Sequence, residues 1–366
     1  MSINQNNYSK HLFFMNLALM QATKNLGNTK TNPSVGCVIV KNGCVINGAC
    51  TGINGRPHAE SIALSKFKSI NKKSDLYVTL EPCSHYGKTP PCVKKIIKNK
   101  IKRVYFSIKD PDIRSYDRSS KILKKNKIVV KKGILIPELK SFYKSYFNYK
   151  KKSFPFVTAK MAVSKDFYTI NSRNKWITNS YSRARAHLIR SKHDCILTSI
   201  NTIISDNPLL TCRISGLENK SPTRIILDKN LRIPIKSKII KTSTKVKTII
   251  IHNSENTKKM KLLKKSGTKL IKMGININKY FDLKEVLFKL KGFGYSRIFL
   301  ESGIKLMTNF LKEKLVNDFQ LFISSKNLKN QGKNNFKQNL RYFNNKKNTI
   351  IKVNLFGDKL ISYKLK

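Results

Sequence analysis

Apolar positions along the chain change period several times, and each change marks an element. Leu12, Phe13, Leu17, Met20 and Ala22 follow a helical spacing, which predicts an amphipathic helix over residues 8–23 with Ser9 as its cap. The unbroken run VGCVIV at 35–40, then Asn42-Gly43, then CVINGA at 44–49, predicts a hairpin closed by a type I′ turn. Helical patterns follow at 59–67, 92–99 and 119–125, and strand patterns at 76–80, 104–108 and 127–130. This alternation predicts a three-layer α/β unit ending near residue 147.

A polar, charged bridge begins at Lys150, and Pro155 restarts the apolar pattern. The boundary is placed there, giving domains 1–149 and 150–366. Strands are expected beyond it at 156–163, 195–199, 224–227, 248–252 and 298–301, interleaved with helices at 180–191, 283–290 and 305–314: a second α/β domain. Residues 327–348 are rich in Lys and Asn and lack a period, so a long loop of low order is expected there.

Length is consistent with two domains, each large enough to bury its own core. No run of about 18 apolar residues occurs, and residues 1–10 are polar, so a cytoplasmic protein without membrane association is expected. Seven cysteines, an odd number without a secretory pattern, are expected to be reduced thiols. Lys plus Arg outnumber Asp plus Glu 74 to 19, for a formal net charge of +55. Such a charge can mark a nucleic-acid partner. Here 61 of the cations are lysines spread through the whole chain, with heavy Asn and Ile usage, so a compositional drift is the better account and no specific nucleic-acid partner is expected.

Chemistry concentrates in two segments, RPHAES at 56–61 and LEPCSHYGKTPPC at 80–92. Zinc takes imidazole and thiolate ligands, and a catalytic zinc keeps one position open. His58, Cys83 and Cys92 supply three such ligands. Glu60 lies two residues beyond His58 at a helix start, placed to move protons without ligating the metal. Cys83 is expected to begin a helical turn after Pro82, where the thiolate is favoured. Any one of these residues alone is more often a core or capping residue. His-x-Glu followed by Pro-Cys and a second Cys is the order found in zinc deaminases, in which the metal activates a water and the glutamate carries protons. His85 either touches substrate or caps its loop. Nucleic-acid deaminases space the cysteines Pro-Cys-x-x-Cys; here eight residues intervene.

The block EPCSHYGKTPPC, with TNPSVGC at 31–37 and PHAE at 57–60, resembles the deaminase half of the bacterial bifunctional riboflavin-biosynthesis deaminase/reductase family. Segments KMAVSKD at 160–166, WIT at 176–178, TSINTIISDNPLLTCR at 198–213, TRIILD at 223–228 and FLESG at 299–303 resemble its reductase half. The resemblance implies a cytidine-deaminase-like three-layer domain followed by a dihydrofolate-reductase-like α/β domain. It implies hydrolytic deamination of 2,5-diamino-6-(5-phosphoribosylamino)pyrimidin-4(3H)-one, then reduction of the ribosyl group to ribityl with NADPH. By the same resemblance, His58, Cys83 and Cys92 bind one Zn2+, Glu60 is catalytic, and Asn32 contacts the pyrimidine, with the Gly87-Lys88-Thr89 turn near the phosphate. Lys160, Trp176, Thr202, Asp206 and the Gly303 turn would serve NADPH; Arg190, Leu210, Arg213 and Glu301 would serve substrate. A homo-oligomer is implied.

The chain departs from the family pattern at Phe167, where glycine is usual, at Ile304, where proline is usual, at residues 325–329, and in the glycine-free segment 112–119. Two alternatives therefore stand beside the two-step enzyme: a deaminase joined to an impaired or structural reductase domain, and, more remotely, a nucleic-acid-binding or editing deaminase.

Overall fold

A computed structural model describes residues 5–65, 73–151 and 154–366. The chain divides into two compact units, Met1–Lys152 and Ser153–Lys366. The first contains α1 (Gln5–Thr23), β1 (Gly36–Lys41), β2 (Cys44–Cys50), α2 (Ala59–Ser65), β3 (Asp75–Leu80), α3 (Cys92–Lys98), β4 (Arg103–Ile108), α4 (Arg118–Lys125), β5 (Val129–Lys132) and α5 (Ile136–Lys151). Its sheet runs β2-β1-β3-β4-β5. β1 is antiparallel to β2 and β3, whereas β3, β4 and β5 are parallel.

The unbroken apolar run in β1 follows from burial on both faces. Gly36 is required by packing, because a Cβ there would lie 1.8 Å from the Ala18 carbonyl oxygen of α1. The β1–β2 turn has Asn42 at φ 50° and Gly43 at φ 81°, as a type I′ turn demands. One local expectation fails. α1 starts at Gln5, so Ser9 lies inside the helix instead of capping it. Residues 66 and 67 of the helix expected over 59–67 lie outside the described residues, as do 152 and 153 of the bridge.

The second unit contains β6 (Phe156–Val163), β7 (Tyr168–Asn171), α6 (Ser180–Arg190), β8 (Cys195–Ser199), α7 (Ile200–Asp206), β9 (Thr223–Leu227), α8 (Lys238–Lys241), β10 (Thr248–His252), α9 (Thr257–Lys265) and β11 (Lys269–Lys272). It continues through α10 (Leu283–Gly292), β12 (Arg297–Leu300), α11 (Ile304–Lys312), β13 (Asp318–Ile323), β14 (Gly332–Asn335), β15 (Asn348–Ile350) and β16 (Lys359–Lys364). Nine strands form one sheet, β11-β10-β9-β8-β12-β6-β13-β16-β15, and β14 pairs with β7. All neighbours from β11 to β13 are parallel; β16 and β15 add an antiparallel edge.

The expected disorder at 327–348 is corrected. β14 pairs antiparallel with β7, and a 3-10 helix, Lys337–Phe343, follows. Two aromatics pin this segment: Phe336 is fully buried, and Phe336 and Phe343 both pack on Phe319 of β13. Exposed lysines and asparagines around the anchors, Lys333 to Asn335, Lys337 and Asn344 to Asn348, conceal the pattern, whereas Asn339 is buried with them.

Candidate functional sites

Two loops bring the first constellation together at the carboxyl end of parallel strand β3, where open α/β sheets place ligands. His58 and Glu60 flank the start of α2, Cys83 follows β3, and Cys92 begins α3. His58 Nδ1 lies 3.5 Å from Cys83 Sγ and 3.4 Å from Cys92 Sγ. All three donor atoms fall within 4.8 Å of one another. Tetrahedral zinc with imidazole and thiolate ligands needs nitrogen and sulfur about 3.6 Å apart, so the donor set and its spacing both fit the metal. Among the described residues this is the one such cluster.

The local reason for the Cys83 thiolate differs from the expectation. Cys83 lies in irregular chain, not at a helix start. Instead, the backbone N–H of Cys92, the first residue of α3, donates to Cys83 Sγ at 3.2 Å. Hydrogen bonds from Cys92 and His58 outweigh burial and draw the Cys83 thiol down to about 4. Glu60 is buried at 3 % exposure, and burial, reinforced by the Cys83 charge, pushes its carboxyl up to about 7. A carboxyl near neutrality can both take and return a proton at physiological pH.

A cleft of about 350 Å³ opens beside this cluster, lined by Asn32, His58, Glu60, Cys83 and His85 among others. Asn32 Nδ2 is fixed by the Gly55 carbonyl at 2.9 Å. His85 lines the cleft, and its Nδ1 lies 2.8 Å from Ser115 Oγ, which ties its loop to the one after β4. Sequence reasoning missed Glu81. This buried carboxylate accepts hydrogen bonds from the backbone N–H groups of Asp110, Asp117 and Ser119, and from Ser119 Oγ at 2.7 Å. It thereby shapes the glycine-free loop that forms one wall. Its position beside the Pro-Cys ligand was the only available signal.

In the second unit, the parallel register sets Leu300 of β12 opposite Ala159 of β6, which brings the next residues, Glu301 and Lys160, side by side. Glu301 Oε1 lies 3.7 Å from Lys160 Nζ, and its Oε2 accepts from Arg190 Nη2 at 2.8 Å. Burial alone would raise the Glu301 carboxyl; the Arg190 and Lys160 charges and the Arg190 hydrogen bond overcome it and hold the group at about 2. Burial lowers the Lys160 ammonium. His187, another residue missed from sequence, joins this cluster: Nδ1 accepts from the Arg213 backbone N–H at 3.2 Å and lies 3.4 Å from Arg190 Nη1. Burial and the Arg190 and Arg213 charges push its imidazole down to about 4, so it is neutral.

Arg190, Glu301, Lys160 and Arg213 thus belong to one connected neighbourhood, with Arg190 also donating to the Thr211 carbonyl at 2.5 Å; the preceding Leu210 is left-handed (φ 53°) and its side chain is buried in the core with Ile200 and Phe299. Thr202 Oγ1 accepts from the Gly303 backbone N–H at 3.3 Å, and Gly303 caps α11. Asp206 is exposed at the end of α7, and Trp176 is half exposed with Arg183 stacked on its ring at 4.6 Å. The departure at Phe167 leaves the backbone in its turn: φ is 67°, and Asp166 holds the start of the 3-10 turn Lys329–Gln331 by accepting from the N–H groups of Leu328 and Lys329.

Two family models divide the chain. Residues 8–108 match the cytidine and deoxycytidylate deaminase zinc-binding region, and residues 155–357 match the RibD C-terminal domain. The chain is 38 % identical to riboflavin biosynthesis protein RibD of Aquifex aeolicus over 315 residues, covering 86 % of each. It is 34 % identical over 339 residues to the protein of that name from Buchnera aphidicola subsp. Baizongia pistaciae, covering 88 % of this chain and 89 % of the other. Among solved structures, a Thermotoga maritima diaminohydroxyphosphoribosylaminopyrimidine deaminase/5-amino-6-(5-phosphoribosylamino)uracil reductase superposes with a TM-score of 0.82 at 27 % identity, over 98 % of this chain and 99 % of that one. Acinetobacter baumannii RibD gives 0.81 at 25 % identity over the same shares.

Proposed function

The chain belongs to the RibD family of bifunctional riboflavin-biosynthesis enzymes, a zinc-dependent deaminase joined to an NADPH-dependent reductase, and from that premise we propose how its residues divide the two steps. The first step is hydrolysis of the diaminopyrimidinone ribosylamine phosphate to the aminouracil. The second is reduction of that product's ribosyl group to ribityl.

His58, Cys83 and Cys92 hold the zinc, which when bound supplies Lewis-acid activation of water. Glu60 takes a proton from the attacking water and delivers it toward the departing amine. The new C–O bond replaces the C–N bond and ammonia leaves. Asn32, fixed by Gly55, presents the pyrimidine. In the reductase, Lys160, Trp176, Thr202, Asp206 and the Gly303 turn bind NADPH, whereas Arg190, Leu210, Arg213 and Glu301 receive substrate. NADPH held by these residues would supply the hydride for reduction at C1′ of the ribosyl group, whose ring oxygen takes a proton as the ring opens. His187 stays neutral and fixes Arg213 and Arg190 without adding charge.

No described helix is long and apolar enough to cross a membrane. A cytoplasmic homo-oligomer acting on small phosphorylated pyrimidines is the accompanying reading. The observation that carries the deaminase assignment is the His58, Cys83, Cys92 cluster with Glu60 buried beside it. Metal analysis tests it: one zinc per chain is expected, and Cys92→Ser should lower that content together with ammonia release. Full zinc retention in Cys92→Ser would remove Cys92 from the ligand set.

A further inference from the structure

Helix α6 carries Arg183, His187 and Arg190 at i, i+4 and i+7, a spacing that places side chains along a single stripe. Toward the carboxyl end of the helix, His187 accepts from the Arg213 backbone N–H and Arg190 pairs with Glu301. Toward the amino end the stripe meets a different segment. The Arg183 guanidinium lies over the Trp176 ring at 4.6 Å, and its Nη1 donates to the Thr178 carbonyl at 2.6 Å. Among the described residues, these are what that guanidinium engages.

The segment bearing Trp176 is pinned at both ends. The Ser172 N–H donates to the Gln331 carbonyl, and Asn171 Oδ1 accepts from the N–H groups of Arg173 and Asn174. At the other end the Asn179 N–H donates to the buried Asp358 carboxylate, which also takes the Ser182 hydroxyl, and Asn179 Oδ1 caps α6. Trp176 lies between these anchors with 52 % of its surface exposed. Lys175 Nζ is 5.4 Å from the same ring centre, but it belongs to the same loop and fixes nothing relative to the helix. Arg183 does. The residue type also stands out: Arg183 is the fourth residue of α6, near a helix N-terminus, where the macrodipole disfavours a cation. The chain has 13 arginines against 61 lysines, and it is the planar guanidinium that can lie flat on an indole while donating from its edge.

We propose that Arg183 is a positioning residue for the reductase cofactor: stacked on Trp176 and bonded to the Thr178 carbonyl, it holds the indole in the orientation that NADPH meets. This rests on the assignment of Trp176 to NADPH above and deepens it. Two features suit a dinucleotide. The half-exposed indole offers a face to a flat ring, and at the Gly303 turn before α11 an added Cβ would meet nothing within 4 Å, which leaves room for a phosphate. Because α6 also carries Arg190, the indole and the substrate-side cation are both referenced to one helix, with Arg183 and Arg190 about 10 Å apart along its axis.

NADPH binding to full-length, zinc-loaded protein is measured by the change in the cofactor's own fluorescence, alongside NADPH oxidation on the aminouracil product. Arg183→Ala suits a helix and is expected to raise Kd and KM for NADPH about fivefold, the size of one cation–π contact. The kcat and the KM for the aminouracil should stay within about twofold, and acrylamide should quench Trp176 emission more readily. An unchanged Kd, unchanged quenching, or equal losses for both ligands would overturn the proposal. Arg183→Lys keeps the charge without the planar fork and should recover little of the loss. Full recovery would mean that charge alone attracts the anionic cofactor, and would also overturn it. A double-mutant cycle tests whether Arg183 acts through the ring: in a Trp176→Leu background, Arg183→Ala should raise Kd by less than about twofold. Additive losses would make the two residues independent and refute the positioning role. A wild-type Kd in Trp176→Leu alone would instead overturn the placing of NADPH at Trp176, the reading beneath the proposal.

Discussion

Replacing Glu301 with Gln removes the one carboxylate shared by Lys160 and Arg190 while preserving shape. The consequence follows from its ionisation. The folded state holds the carboxyl at about 2, against an ordinary 4.5. That displacement corresponds to about 3 kcal/mol of stability at neutral pH. Because the folded-state value is depressed, the contribution is complete above about pH 4.5 and disappears as pH falls toward 2. Glu301→Gln should therefore destabilise the second unit by about 3 kcal/mol at pH 7, leaving two buried cations without their counter-charge. The assay is urea unfolding followed by the single tryptophan, Trp176, which lies in this unit. Below pH 4 the gap between variant and wild type should narrow steadily. A loss under about 1 kcal/mol at pH 7, or a gap that does not change with pH, would refute the reasoning, since it would mean that the carboxylate is not selectively stabilised by its cations.

Two further perturbations probe the scaffolding of each unit. Glu81→Ala leaves the N–H groups of Asp110, Asp117 and Ser119 unpaired inside the protein, and should cost roughly 2–4 kcal/mol while lowering deaminase kcat/KM; thermal unfolding and ammonia release measure both. Phe336→Ala empties a fully buried site against Phe319 and Phe343, and should cost about 3–5 kcal/mol with rapid amide exchange across 327–348, detectable by mass spectrometry.

Much of this was legible in the sequence because the informative residues sit close together or keep a strict period. The zinc ligands and Glu60 fall in two short segments, and several parallel strands of the second unit carry short apolar runs such as Ile225–Leu227, Ile249–Ile251 and Ile298–Leu300. What stayed hidden depends on contacts across long separations. The partners of Glu81 lie 29 to 38 residues away, and Arg190 meets Glu301 across 111. The Phe336 anchor is masked by solvent-facing Lys and Asn. Cys83 was assigned a helix start because proline precedes it, yet the stabilising N–H comes from Cys92, at the beginning of a helix nine residues later. Phe167 shows the converse: the residue type argued against a left-handed turn, and tertiary contacts impose one regardless, with the ring packed against the core.

The measurement that bears most directly on the two-site division supplies each substrate separately to Glu60→Gln protein. Ammonia release from the diaminopyrimidinone phosphate should fall by roughly 10²- to 10⁴-fold with zinc content unchanged, while NADPH oxidation on the supplied aminouracil product continues at the wild-type rate. Undiminished ammonia release, or parallel loss of NADPH oxidation, would contradict it.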